Sequence, residues 1–335
     1  ERILSSNQNA RTMKVGSTML ISSEYELPVV DAQTFAPARQ EQFALLWDEL
    51  GNCCWERNGW GVKRPYSKTH EGCIAPGQFV TTDTGPTIEF TPSPAETIQE
   101  IHRQANGIRS EIIRGLAPQN LVLLGSGVHP TLGTSRKEYY DYRSPRKAYD
   151  YAIEERGWEH RSILNIAATQ EVIDVPFDKA IRVLRCCHRL AGPFLFLFRN
   201  DPDYQGIAGK RLSVRPEGWR WQSPRVGKYA IDHVKFLIPQ KEICSWKDYL
   251  QLLWHTTPMF FLGTKNDGPV FVPRHPTFWE FLTESPKEGW NARRIVDNQE
   301  FLLVPDASHA EGTDWSYMGF ARLRFKFTPT TFDVT

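Results

Sequence analysis

The stretch ISSEYELPVVD at residues 21–31 is β-branched and aromatic enough for a strand, yet it contains Glu24 and Glu26. Side chains alternate along a strand, so both carboxylates point the same way. Two like charges held side by side repel unless something positive sits between them. The shared face is therefore either wet or holds a cation. Pro28 reads as the stop of this strand.

The segments that follow place the strand in a sheet. PARQEQFALLWDELGN has apolar residues at helical spacing and a stop signal at Gly51. GQFVTTDTGPTIEFTPSP reads as two strands joined across Asp83, Thr84, Gly85 and Pro86, residues with strong turn chemistry. In SPAETIQEIHRQANGIRSEIIRGL, Ser93 is the expected helix N-cap, with Pro94 at the first helical position and Glu96 closing a capping box. NLVLLGSGVHP is a strand running into a glycine-rich bend, SPRKAYDYAIEERG a helix, and SILNIAATQEVID another strand. PFDKAIRVLRCCHRLAGPFLFLF reads as a long, largely buried helix, and TPMFFLGTKNDGPVFVPRHPTFWEFL as a hairpin followed by a helix. Strands and helices intermix without a repeat or low-complexity linker. This predicts one α+β domain over residues 1–335, built on an antiparallel or mixed sheet, with about 15 flexible polar residues at its start.

Three groups of acids fall on or beside the predicted strands: Glu24 with Glu26, Asp83 with Glu89, and Asp333 in TTFDV. Taken singly, each is most simply a solvent-facing acid on a one-sided sheet. Their recurrence, without paired Cys or His, favours hard oxygen-seeking cations such as Mg²⁺, which usually accompanies substrate phosphates. Arg215 follows Ser213 in LSVRPEGWRW, after the glycine-containing loop DPDYQGIAGK. Its planar fork suits a phosphate or a carboxylate, and equally an ordinary surface salt bridge.

Other chemistries lose support. GSGVHP has no third glycine at dinucleotide spacing and a proline where a helix would begin. Cys186, Cys187 and His188 are adjacent on an apolar helix and cannot all face one zinc ion, even with His129 and His160 added. No GxSxG, HExxH or P-loop element occurs. Forty basic residues against 39 acidic ones leave a formal +1, which argues against a nucleic-acid partner. The six cysteines contain no CxxC pair and read as reduced, mostly buried thiols. With no apolar signal core and no run near the ~20 apolar residues of a membrane span, no membrane partner is expected and the cytosol is the default compartment.

In this order the pieces resemble the glutamate–cysteine ligase superfamily, particularly its plant and proteobacterial branch, and the related carboxylate–amine ligases, from about residue 18 to 330. SEYELPVVD is similar to the family's E-x-E strand through Glu24 and Glu26, and DTGPTIEFTPSP to its second acidic strand through Asp83 and Glu89. AATQEVID resembles the family's threonine–glutamine strand, with Gln170 at the position that is glutamine in the plant branch and histidine elsewhere. GIAGKRLSVRPEGW resembles its glycine loop and S-x-R-x-x-x-W motif through Ser213 and Arg215, and SPRVG a D-P-x-R-x-G stretch through Arg225. TPMFFLGTKNDGPVFVPRHPTFWEFL looks like the PMYFV hairpin and TFRDFL helix. The family's closing L-E-x-R strand is matched by TFDVT, with Asp333 present but Thr335 in place of the arginine.

The resemblance implies a curved sheet forming a concave active site, with helices packed on its outer face, of the glutamine synthetase-like kind. It also implies an ATP- and Mg²⁺-dependent ligase, in which glutamate's γ-carboxylate attacks the γ-phosphate of ATP and an amine such as cysteine takes the acyl phosphate. Glu24, Glu26, Asp83, Glu89, Gln170 and Asp333 would hold about two or three Mg²⁺ ions. Ser213, Arg215, Arg225 and Gln170 would bind nucleotide or substrate, with Arg215 and Glu89 at the chemistry itself. The partners implied are small molecules. The missing arginine leaves two alternatives: a ligase for a different carboxylate, amine or peptide in a secondary-metabolite pathway, and an inactive relative that binds an amino acid or a partner.

Overall fold

The computed structural model describes residues 19–50, 54–57, 63–66, 78–132, 135–155, 167–208, 242–261, 269–310, 323–325 and 332–334, with breaks of a few residues inside the longer ranges. Its strands are β1 (Ile21–Asp31), β2 (Cys54–Arg57), β3 (Lys63–Tyr66), β4 (Phe79–Thr82), β5 (Thr87–Thr91), β6 (Leu121–Leu123) and β7 (Thr169–Val175), followed by β8 (Asp203–Tyr204), β9 (Ile207–Ala208), β10 (Val270–Phe271), β11 (Ala292–Val296), β12 (Gln299–Leu303), β13 (Leu323–Phe325) and β14 (Phe332–Val334). The largest sheet runs in the order β13-β14-β7-β1-β5-β4, with β6 also paired to β1. Every pairing in it is antiparallel. Helices alternate with these strands along the chain, so the class is α+β, as expected.

β1 is central because successive residues send their backbone groups to opposite edges. Val29 N–H donates to Pro86 O on the β5 side, whereas Glu26 N–H donates to Ala168 O beside β7 and Leu124 N–H donates to Pro28 O beside β6. The strand does not stop at Pro28 as the sequence suggests, but continues to Asp31. Pro28 lies where one edge of β1 passes from β7 to β6, so the N–H it lacks is missing at a change of partner rather than inside a ladder.

The odd-numbered face of β1 builds the core. Tyr25, Leu27 and Val29 join Val80, Ile88 and Phe90 of the hairpin and Ile108, Ile112 and Leu116 of the helix Ile98–Leu116 in one cluster. The Tyr25 and Phe90 rings stack with centroids 5.0 Å apart. That helix begins later than its sequence suggests. Its cap is Thr97, whose hydroxyl accepts the Glu100 N–H at 3.2 Å. Ser93 is not the cap, because Ala95 exchanges two backbone bonds with Ile21 and keeps this segment extended, while Ser93 N–H donates to Gln104 Oε1.

Two further clusters extend the packing. Val175, Ala180 and Leu184 meet Tyr249 and Leu253 of the helix Trp246–Trp254, and Phe261, Val270, Val272, Phe278, Phe281 and Trp290 form the other. The helix Ala180–Phe198 is long, as predicted, but it is not largely buried. Ala191 is fully buried, but Phe196, Leu197 and Phe198 near its end are 61, 68 and 71% exposed. Of the three thiols whose burial is described, Cys186 and Cys244 are exposed and Cys187 is half-buried, which is less burial than expected; all three are free, as expected of reduced thiols. Among the described residues no helix is long and apolar enough to cross a membrane.

Candidate active site

Glu24 and Glu26 lie on the even-numbered face of β1, opposite the core. Glu26 pairs in register with Glu89 of β5, and Glu24 with Gln170 of β7. Directly opposed residues carry their side chains on the same face, so four of the expected site residues converge from three strands separated widely in sequence. All four are half-buried. The Gln170 amide Nε2 donates to Glu26 Oε1 at 2.8 Å. An ionised carboxylate only accepts, so this bond fixes which end of the Gln170 amide faces Glu26.

The positions around these carboxylates are hydroxyl-bearing and buried. Ser22, Thr81, Thr87 and Thr91 share the even-side parity and are 9, 0, 1 and 9% exposed. Asp83, half-buried, sits one residue beyond β4, where its N–H donates to Thr87 O and continues the hairpin register. This places it diagonally from Glu89 on the same side. Glu171, next to Gln170, faces the other way and accepts a hydrogen bond from Ser23 Oγ at 2.5 Å. Burial of that carboxyl raises its pKa, and the Ser23 hydroxyl opposes the rise.

A protein-family model described as Glutamate-cysteine ligase family 2 (GCS2) matches residues 21–291. The chain belongs to glutamate-cysteine ligase family 2. GCS2 membership makes it glutamate–cysteine ligase-like, in the class of carboxylate–amine ligases. No curated protein matches the chain.

The GCS2 match spans Glu24, Glu26, Asp83, Glu89 and Gln170, and also Ser213, Arg215 and Arg225, which lie outside the described residues. Asp333 falls beyond the matched range, on β14. There it stands in register between Asp174 of β7 and Arg324 of β13. Asp174 and Arg324 escaped the sequence reading. Asp174 had a signal, since it follows Gln170 by an even number of residues on one strand; Arg324 becomes notable only once β13 is known to pair with β14.

Among the described residues of this GCS2 chain, no group of three or more His, Cys, Asp or Glu side chains forms a ready-made metal cage. His129 is fully buried, and its Nδ1 accepts the Leu132 N–H at 3.1 Å and the Thr131 N–H at 3.4 Å. With Nδ1 accepting, the proton sits on Nε2, and burial pushes the pKa down to about 4. The imidazole is a neutral clasp for the loop that leaves β6.

Proposed function

We propose that this chain is an ATP- and Mg²⁺-dependent ligase that joins the γ-carboxylate of glutamate to an amine, with cysteine as the default acceptor. The observation that carries this reading is the register of Glu24, Glu26, Glu89 and Gln170 across β7, β1 and β5. Opposed side chains there have Cβ atoms about 5 Å apart, and carboxylates at that spacing repel unless a cation joins them.

The donor set fits Mg²⁺. Its atoms are carboxylate and amide oxygens, and Mg²⁺ is ordinarily held by one or two carboxylates with waters and substrate phosphates completing the shell, so a full protein cage is not needed. Glu24, Glu26 and Glu89 would hold the ion or ions, with Asp83 and Asp333 as further expected ligands and the Gln170 amide orienting Glu26. Bound there, Mg²⁺ would supply the positive charge that lets a carboxylate approach a polyphosphate.

In the reaction proposed, the γ-carboxylate oxygen of glutamate bonds to the γ-phosphorus of ATP and ADP leaves. The amine nitrogen then bonds to the acyl carbon, phosphate leaves, and the nitrogen loses a proton. By resemblance, Ser213, Arg215 and Arg225 would bind phosphate or the substrate carboxylate, Arg215 acting directly on the transferring group. The buried hydroxyl positions beside the acids support a concave, enclosed site rather than an open sheet. One catalytic domain over residues 1–335 is part of the same reading. Exposed free thiols at Cys186 and Cys244 suit a reducing, cytosolic setting.

ADP release measured with glutamate and a panel of amines tests this reading. Turnover requiring Mg²⁺, glutamate and at least one amine is expected; folded protein that turns over no nucleotide with any amine contradicts it. Thr335, where the family strand carries arginine, favours a second reading in which another carboxylate donor or acceptor is used. Turnover with a different carboxylate in the same assay would select it.

A further inference from the structure

We infer that the Thr91 hydroxyl is a further ligand-contacting group of the carboxylate site, pairing with the bound divalent cation or with a water in its shell. This inference rests on the cation-site reading above. Thr91 closes β5 two residues after Glu89, and the alternation that sends the Phe90 ring against Tyr25 in the core turns Thr91 to the side of Glu89. Thr91 pairs with Phe79 of β4, and the ladder of β5 with β1 ends one residue before it, at Tyr25 and Phe90.

Its Oγ1 is fully shielded from solvent, the residue being 9% exposed, and among the described residues it has no hydrogen-bond partner. That is costly for a hydroxyl, since buried polar groups are nearly always satisfied and removing one from water without a partner is unfavourable. Other hydroxyls nearby find local acceptors: Ser22 Oγ donates to Pro92 O at 3.2 Å and Thr81 Oγ1 to Thr82 O at 3.4 Å. Thr91 thus differs from Ser22 and Thr81 on the same side of the sheet. A hydroxyl both donates and accepts, so it suits the hydrated shell that Mg²⁺ retains, accepting from a metal-bound water or offering its oxygen to the ion.

The test compares wild type, Thr91→Val, Thr91→Ser and Glu24→Gln by calorimetric titration with Mn²⁺, alone and with a non-hydrolysable ATP analogue, alongside the apo melting temperature. Valine keeps the shape and removes the hydroxyl. Thr91→Val should weaken Mn²⁺ binding by roughly three- to tenfold while apo melting stays level or rises, because the orphaned group is gone. Thr91→Ser should restore binding to near wild type. Equal Mn²⁺ affinity in wild type and Thr91→Val, with Glu24→Gln impaired, overturns the role of Thr91 and leaves the cation site standing. Wild type that takes up no Mn²⁺ under either condition overturns both.

Discussion

Glu24 and Glu26 alternate with Tyr25, Leu27 and Val29 along β1, yet the two sets do opposite work. The odd side is packed against the hairpin and the helix Ile98–Leu116, where burial of apolar area stabilises the fold. The even side gathers half-buried acids from β1 and β5 beside the Gln170 amide of β7, an arrangement that costs stability in a chain without cations. One strand therefore uses its alternation to hold a site rigidly from behind: the packing that fixes Tyr25 and Leu27 also fixes the backbone that aims Glu24 and Glu26.

The contrast can be broken by substitution on each side. Glu24→Gln should lower ligase turnover by roughly 10²–10³-fold, the scale seen when a group that stabilises transition-state charge is lost. Its melting temperature should stay level or rise, since one repelling charge has been removed. A near-normal rate would separate Glu24 from the chemistry. Ile88→Ala, on the buried side, should cost about 3 kcal/mol of unfolding free energy by denaturant titration. The cation affinity of the surviving folded fraction should be unchanged. If instead Ile88→Ala abolished Mn²⁺ binding in folded protein, the two faces would not be separable.

A smaller set of changes sharpens the picture around the sheet. His129 stays neutral when folded, with a pKa near 4, whereas in the unfolded chain it titrates at about 6.5. Between those values the unfolded state binds a proton that the folded state refuses, so stability is full above pH 6.5 and falls by up to about 3 kcal/mol as the pH drops toward 4. Asparagine can supply an acceptor without titrating, and His129→Asn should flatten that part of the pH profile. A slope unchanged in the variant would assign the acid sensitivity to other groups. Thr97→Ala removes the hydroxyl that accepts the Glu100 N–H and should cost about 1 kcal/mol. The same substitution at Ser93 should do much less, because Ser93 does not cap the helix.

The local grammar of the chain was readable where it depends on neighbours in sequence. The hairpin across Asp83 to Pro86, the strand bearing Glu24 and Glu26, and the helix near residues 147–154 all follow from turn residues and periodicity. What failed depends on contacts far along the chain. Pro28 looks like a stop unless one knows that β1 changes partner there. Ser93 looks like a better cap than Thr97 until Ala95 is seen bonded to Ile21. The phenylalanine-rich end of the helix Ala180–Phe198 carries the periodicity of a buried helix, yet Phe194, Phe196, Leu197 and Phe198 are exposed.

The site was legible in the same partial way. Alternation alone puts Glu24 and Glu26 on one face, and family likeness named Glu89 and Gln170. The register that sets Glu26 against Glu89 and Glu24 against Gln170 spans 63 and 146 residues respectively, and no local pattern encodes it. Thr91 was invisible for another reason: an unpaired hydroxyl is a property of its surroundings, not of its residue type.

The central claim, that the even face of β1 holds divalent cations for phosphate-dependent ligation, is tested most directly by locating Mn²⁺ through its anomalous scattering in crystals grown with an ATP analogue. The account predicts at least one ion about 2.0–2.3 Å from carboxylate oxygens of Glu24, Glu26 or Glu89, with phosphate oxygens completing its shell. Nucleotide bound elsewhere, with no ion touching these three residues, would contradict it.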